Sequence, residues 1–259
     1  MLCCTSIPYT YFAIVMRTII AIGFCLFSFT SLFAQAPAKP LTIEHLTGGF
    51  YIYKTYGTYK GSRVPANAMY LVTKDGVVLF DTPWDSTQFQ PLLDSIRMKH
   101  HKKIIMCIAT HFHADRTGGL EYYRKKGITT YTTRKTDSLS KTNGDKRAEY
   151  LIDKDTTLTV GQYTFQTYYP GPGHTYDNIV VWFDKEKILC GGCLVKSVKD
   201  NNLGYTGDGS LKDYANTIRN VQKKFKHPRY IITGHNDWKD KRSLQHTLQM
   251  AEAAQKQTH

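Results

Sequence analysis

The stretch Thr110-His111-Phe112-His113-Ala114-Asp115-Arg116-Thr117-Gly118-Gly119 constrains this 259-residue chain more than any other. It follows the apolar run Ile104 to Ala109, which reads as a buried strand, and precedes a helix-like segment. Two histidines and an aspartate therefore fall on a strand-to-helix loop, where short connections aim side chains freely. Imidazole nitrogen and carboxylate oxygen are preferred zinc ligands. Taken alone, the pattern equally describes two polar loop histidines and an aspartate capping a helix. Residues further along the chain decide between these.

A protein of this length with 41% apolar residues has enough material for a sizeable core. Before the fold begins, Met16-Arg17-Thr18 leads into the apolar run Ile19 to Phe33, which ends at Ala34. A positive start, a short apolar core and a small residue at its end describe a secretory signal peptide better than a membrane span. Residues 1–34 are read as that leader, with translation from Met16 giving its more ordinary form, and residues 35–259 as one domain. Cys25 lacks a lipoprotein-type cleavage box. The expectation is a soluble periplasmic protein, monomeric by default. The formal charge of +13 draws only Arg17 from the leader. Its lysines are scattered rather than interleaved with aromatics, so a solvated basic surface is expected and no nucleic-acid partner. Only Cys107, Cys190 and Cys193 remain beyond the leader, and an odd number in an oxidising compartment implies a free or metal-bound thiol.

The first half of the mature chain is strand-rich. Ile43 to Leu46 with Phe50 to Tyr56, and Ala68 to Thr73 with Val77 to Asp81, read as strand pairs. The polar, glycine-rich stretch Gly57 to Pro65 between them reads as an ordinary surface hairpin loop, with a flap over a site as the alternative. A helix is expected from about Ser86 to His100, with Phe89, Leu92, Leu93 and Ile96 inward. The second half repeats the rhythm: strands at Ile128 to Thr133, Leu158 to Val160, Tyr163 to Tyr168, Asn178 to Phe183, Lys187 to Cys190 and Tyr230 to Ile232. Short helix and loop fill Thr136 to Arg147, a capped helix follows Ser210, and a last one carries Leu244, Leu248 and Ala251. Two such halves predict an α/β fold in which two mixed sheets pack face to face with helices on both outsides, an αββα sandwich.

Further ligand candidates sit at strand ends. Pro170-Gly171-Pro172-Gly173-His174-Thr175-Tyr176-Asp177-Asn178 holds His174 in a rigid turn, Cys190-Gly191-Gly192-Cys193-Leu194-Val195-Lys196 offers a thiol, and Thr233-Gly234-His235 ends a strand with another histidine. Each alone has an ordinary structural explanation, and the C-x-x-C also admits a redox reading. The ordered set H-x-H-x-D-R, G-x-G-H-T-x-D-N, G-G-C-L-x-K and G-H resembles the metallo-β-lactamases, and within them class B subclass 1 with its cysteine ligand. The resemblance spans about residues 40 to 256.

That resemblance implies the αββα fold, two zinc ions, and hydrolysis of the lactam amide of penicillins, cephalosporins and carbapenems, conferring antibiotic resistance. It assigns His111, His113 and His174 to one zinc and Asp115, Cys193 and His235 to the other, with Lys196 gripping the substrate carboxylate. Three neutral imidazoles leave a zinc ion doubly positive, so water there loses a proton near neutral pH rather than at about 16. Asp115 is expected to orient that nucleophile, and the second zinc to hold the expelled nitrogen. Arg116 and Asp81 are expected to support the ligands. Tyr205 stands where many members carry an asparagine assigned to the oxyanion, so it is expected at the substrate-binding rim. Cys190 is a second departure, because a disulfide to Cys193 would remove a ligand. Thioester and lactone hydrolases of the same fold commonly carry histidine after the aspartate and a later bridging aspartate, against Arg116 and Cys193 here. No thioredoxin-like context supports a thiol oxidoreductase. A non-catalytic zinc-binding protein is the remaining rival.

Overall fold

The fold was described on a computed structural model over residues 41–257; the expected leader and Cys25 lie outside the described residues. Strands β1 (Thr42–Thr47), β2 (Phe50–Tyr59), β3 (Ser62–Val72) and β4 (Val77–Phe80) pair antiparallel in chain order. Strands β5 (Ile104–Ile108), β6 (Thr129–Thr133) and β7 (Tyr150–Ile152) extend that sheet in parallel, to seven strands. The second sheet has the order β12-β11-β10-β9-β8, built from β8 (Thr157–Val160), β9 (Tyr163–Tyr168), β10 (Val180–Phe183), β11 (Ile188–Gly192) and β12 (Tyr230–Thr233). Only β11 and β12 are parallel in it.

Alternation along the strands sends one set of side chains between the sheets and the other beneath the helices. Between them, Phe183 meets Phe50 at 4.8 Å and Phe80 at 5.6 Å with rings nearly perpendicular, the arrangement aromatic quadrupoles favour. Helix α1 (Phe89–His100) lays Phe89, Leu92, Leu93 and Ile96 on the outer face of the first sheet, against Tyr53, Tyr70 and Leu79. The single turn α2 (Ala114–Thr117) and α3 (Leu120–Lys125) follow β5, and α4 (Arg134–Asn143) follows β6. Helices α5 (Leu211–Lys224) and α6 (Ser243–Gln257) cover the second sheet through Tyr214, Ile218, Val221, Leu244 and Leu248. Each such side chain contributes about 1.5–3 kcal/mol on full burial. The result is the expected αββα sandwich. No helix among the described residues is long and apolar enough to cross a membrane.

Three local features differ from the sequence reading. The hairpin at Gly57 to Pro65 has a much shorter loop than its composition suggests: β2 and β3 stay paired out to Tyr59 and Ser62, with only Lys60-Gly61 between. Both residues have left-handed φ, 47° and 75°, the signature of a two-residue type I′ hairpin turn, whose twist matches the strands and lets pairing continue. Strand β7 at Tyr150–Ile152 carries no alternating pattern and forms because β6 offers it a free parallel edge. Helix α4 starts earlier than expected, where the Thr133 hydroxyl accepts the Thr136 N–H, and Gly144 at φ 76° ends it, leaving Asp145 to Arg147 outside.

Arg116 joins the two sheets at their common end. It is fully buried, and its guanidinium donates to the Asn67 carbonyl within β3 (2.8 Å), the Gly234 carbonyl after β12 (2.9 Å) and the Cys193 sulfur after β11 (3.0 Å). It also pairs with Asp115 at 3.0 Å and Asp81 at 3.4 Å. Removing one partner of a buried ion pair leaves the others uncompensated, at about 3–5 kcal/mol. In the zinc-free protein, Arg116→Ala is expected to lower stability by that amount, read as the change in urea midpoint at constant m. A loss below about 1 kcal/mol, within the range of an exposed pair, would contradict this role for Arg116.

Candidate metal centre

Strand ends deliver the polar side chains of the centre. His111 and His113 follow β5, His174 precedes β10, Cys193 follows β11 and His235 follows β12. The rings of His111, His113 and His174 form a nearly equilateral triangle with centroids 5.0, 4.9 and 5.0 Å apart and planes close to perpendicular. Beside it, the Cys193 sulfur lies 3.4 Å from Asp115 Oδ2 and 3.2 Å from His235 Nε2, and those two atoms are 3.4 Å apart. Asp115 reaches both groups: Oδ2 belongs to the second, while Oδ1 lies 4.0 Å from His111 Nε2. Three overlapping sets of donors, His111/His113/Asp115, His111/His174/Cys193 and Asp115/Cys193/His235, each bring their ligand atoms within 4.8 Å of one another.

These residues fit zinc. Donors bound tetrahedrally at about 2.0–2.3 Å must lie roughly 3.3–3.6 Å apart, which is the spacing around Cys193. Nε2 of His111 and Nδ1 of His174 are buried without a hydrogen-bond partner, which is costly unless something else uses them. Burial pushes both rings well below the usual histidine pKa, so they are neutral, as metal ligands must be. Burial acts to raise the Asp115 carboxyl, but the Arg116 guanidinium and His235 outweigh it and hold the group well below the carboxylate range. At His235 burial works downward, and the neighbouring Cys193 and Asp115 carry the ring up to about 10.

Hydrogen bonds around the ligands fix which nitrogen each presents. His235 donates Nδ1–H to the Pro65 carbonyl at 2.7 Å, leaving Nε2 toward Cys193 and Asp115. His113 Nε2 sits 2.9 Å from Asp208 Oδ2, leaving Nδ1 toward the other rings. Asp81 accepts the Thr110 N–H at 2.7 Å, and burial raises its carboxyl to about 6 against the pull of Arg116. Thus the loop is pinned one residue before His111.

His113, Asp115, His174 and His235 open into a cavity of about 690 Å³, with Trp84 and Val64 among its apolar walls. Lys196 lines it, 7% exposed, with its backbone N–H held by Thr247 Oγ1 and no hydrogen bond or ion pair at Nζ. Tyr205 also lines it but is half exposed, its ring 5.9 Å from that of His113 and its hydroxyl raised by the charge of Asp208. Cys107, Cys190 and Cys193 are all unpaired thiols. Cys190 points into the core between the sheets, where burial pushes its thiol up to about 12, an unreactive setting. Nothing in the local pattern marks Asp208, and only its place between two glycines, Gly207 and Gly209, signals a tight turn.

Comparison with known proteins agrees with this geometry. A family model described as the metallo-beta-lactamase superfamily matches residues 61–235. The chain is 47% identical over 216 residues to the metallo-beta-lactamase type 2 of Elizabethkingia meningoseptica, covering 83% of this chain and 87% of that one. It is 35% identical over 210 residues to the metallo-beta-lactamase type 2 of Bacillus cereus, covering 81% and 82%. The crystal structure of metallo-beta-lactamase IND-7 superposes with a TM-score of 0.80 at 40% identity, covering 83% of this chain and 99% of that one. Two donor groups that share Asp115, one built on histidines and one adding the Cys193 sulfur, thus stand at the end of a double-sheet sandwich in a chain that belongs to the metallo-β-lactamase family.

Proposed function

We propose that this protein is a two-zinc hydrolase that opens the lactam amide of penicillins, cephalosporins and carbapenems, and so confers antibiotic resistance. His111, His113 and His174 hold one ion, Asp115, Cys193 and His235 the other, and Lys196 takes the substrate carboxylate. The protein acts in the periplasm as a monomer of residues 35–259 after loss of its leader. The observation that carries this reading is the shared cavity: members of both donor groups, His113 and His174 of one and Asp115 and His235 of the other, line the same space as the buried, unpartnered Lys196 ammonium.

Zinc bound there supplies Lewis acidity, lowering the pKa of a water toward 7 and polarising the lactam carbonyl. The chain's own residues do the rest. Asp115 Oδ1, on the His111 side, accepts a hydrogen bond from the attacking water and aims it, while Oδ2 stays with Arg116 and Cys193. Arg116 offsets the negative charge that Asp115 and a Cys193 thiolate bring into a buried site. Lys196 supplies a charge for an anion at fixed distance from the cluster, because Thr247 anchors its backbone. Burial lowers its ammonium pKa, and nearby Cys193 and Asp200 resist that shift. Trp84 and Val64 give apolar surface to the substrate body and exclude water.

The direct test is loss of lactam absorbance when a carbapenem, benzylpenicillin and a cephalosporin are each added to zinc-loaded residues 35–259. Zinc-dependent turnover, abolished by chelator and restored by zinc, is expected; folded, two-zinc protein inert to all three would point to scavenging instead. Metal uptake carries its own signature. His235 is protonated at pH 7 in the zinc-free protein because its pKa is raised to about 10, whereas zinc takes the neutral ring. Binding at that group must therefore release at least one proton, and its affinity must climb with pH, by up to about tenfold per unit through neutrality. Calorimetric titration in buffers of different ionisation enthalpy reads this as a slope; a zero slope would remove the assignment of His235.

A further inference from the structure

The cavity's charged side chains divide into those already engaged and those left free. Asp115 is held by Arg116, Asp208 by His113, and Asp200 by the Ser197 N–H and the Asn236 amide. Three lining charges have no hydrogen bond or ion pair at the charged end: Lys196, Lys199 on the same loop, and Asp145. Asp145 sits just beyond α4, half-buried, its N–H tied back to the Ser140 carbonyl. The adjacent Lys146 turns away to Glu121 at 3.5 Å. Asp145 is thus a half-exposed carboxylate in the cavity wall with no ion pair of its own, open to a cationic group on a bound molecule.

The free charges stand on opposite sides of the loop that follows β5: Lys196 comes after β11, which packs against β3, whereas Asp145 comes after α4 beyond β6, and β5 lies between β3 and β6 in the first sheet. Lys196 feels Cys193, Asp200 and Asp115, the second donor group and its flank. Asp145 lies close enough to His113, Asp208 and Lys146 to feel their charges. A substrate with its carboxylate on Lys196 and its scissile bond over the cluster extends its remaining substituent toward Asp145. Resting on the proposed function, we propose that Asp145 is a specificity-determining residue that favours β-lactams carrying a cationic group on the acyl side chain and disfavours anionic ones.

Three penicillins differ at one acyl carbon and separate this from other effects. Benzylpenicillin is neutral there, ampicillin carries an ammonium group and carbenicillin a carboxylate. In Asp145→Asn, the ampicillin-to-benzylpenicillin ratio of kcat/KM is expected to fall roughly three- to fivefold, the range for a half-exposed ion pair, and the carbenicillin-to-benzylpenicillin ratio to rise by a similar factor. Asp145→Glu should keep the wild-type order. The wild-type enzyme needs no variant to show the same effect: raising salt from about 0.05 to about 0.5 M should draw the three rates together. Ratios unmoved in Asp145→Asn, with all three penicillins still hydrolysed, would overturn the role of Asp145 alone. Wild-type enzyme that hydrolyses none of them would overturn the hydrolase reading itself, and this inference with it.

Discussion

The buried guanidinium of Arg116 is the constraint on which the rest of the structure depends. A cation wholly removed from water is tolerated only where every direction offers an acceptor or a negative charge. Here those partners come from five separate places in the chain: the Asn67 carbonyl, Asp81, Asp115, the Cys193 sulfur and the Gly234 carbonyl. Only Nε is left without one. Satisfying Arg116 therefore requires that loops from both sheets meet at one end of the sandwich, which is where the donors must converge. The same interaction sets the electrostatics. Asp115 keeps its charge in a buried site, and His111 and His174 stay neutral beside it.

Much of this was legible in sequence because it is written locally. The β5 run and the two histidines after it, the proline-glycine turn holding His174, and the glycines before Cys193 all signal themselves within a few residues. Helices α1, α5 and α6 bury the side chains their periodicity indicates. What escaped depends on distant pairing. Asp208 meets His113 across 95 residues, and His235 has its tautomer set by Pro65 across 170. The stretch Gly57 to Pro65 looks like a loop by composition, yet the I′ turn at Lys60-Gly61 and the ladder on either side hold it as strand. Close contact matters there too: a Cβ on Gly57 would fall 2.2 Å from the Trp84 ring, so this glycine lets an apolar cavity wall lie against the hairpin.

The cavity joins two requirements that usually conflict. Ligands need rigid, buried surroundings, whereas a substrate needs open, unpaired charges. The division by depth resolves this: Arg116, Asp81 and His111 lie at the base, fully enclosed, while Lys199, Tyr205 and Asp145 stand at the rim. Charges at the rim are thereby separated from the donor set at the base, so a change in one need not disturb the other.

Whether Cys193 is a zinc ligand is the most direct question, since it alone adds a sulfur to an otherwise nitrogen and oxygen set. Zinc K-edge X-ray absorption of protein loaded with two equivalents of zinc answers it. One sulfur scatterer per two zincs is expected at about 2.3 Å, among nitrogen and oxygen at about 2.0–2.1 Å, and absent in Cys193→Ser. A spectrum without sulfur, or one whose sulfur survives that substitution, would contradict the metal centre described above.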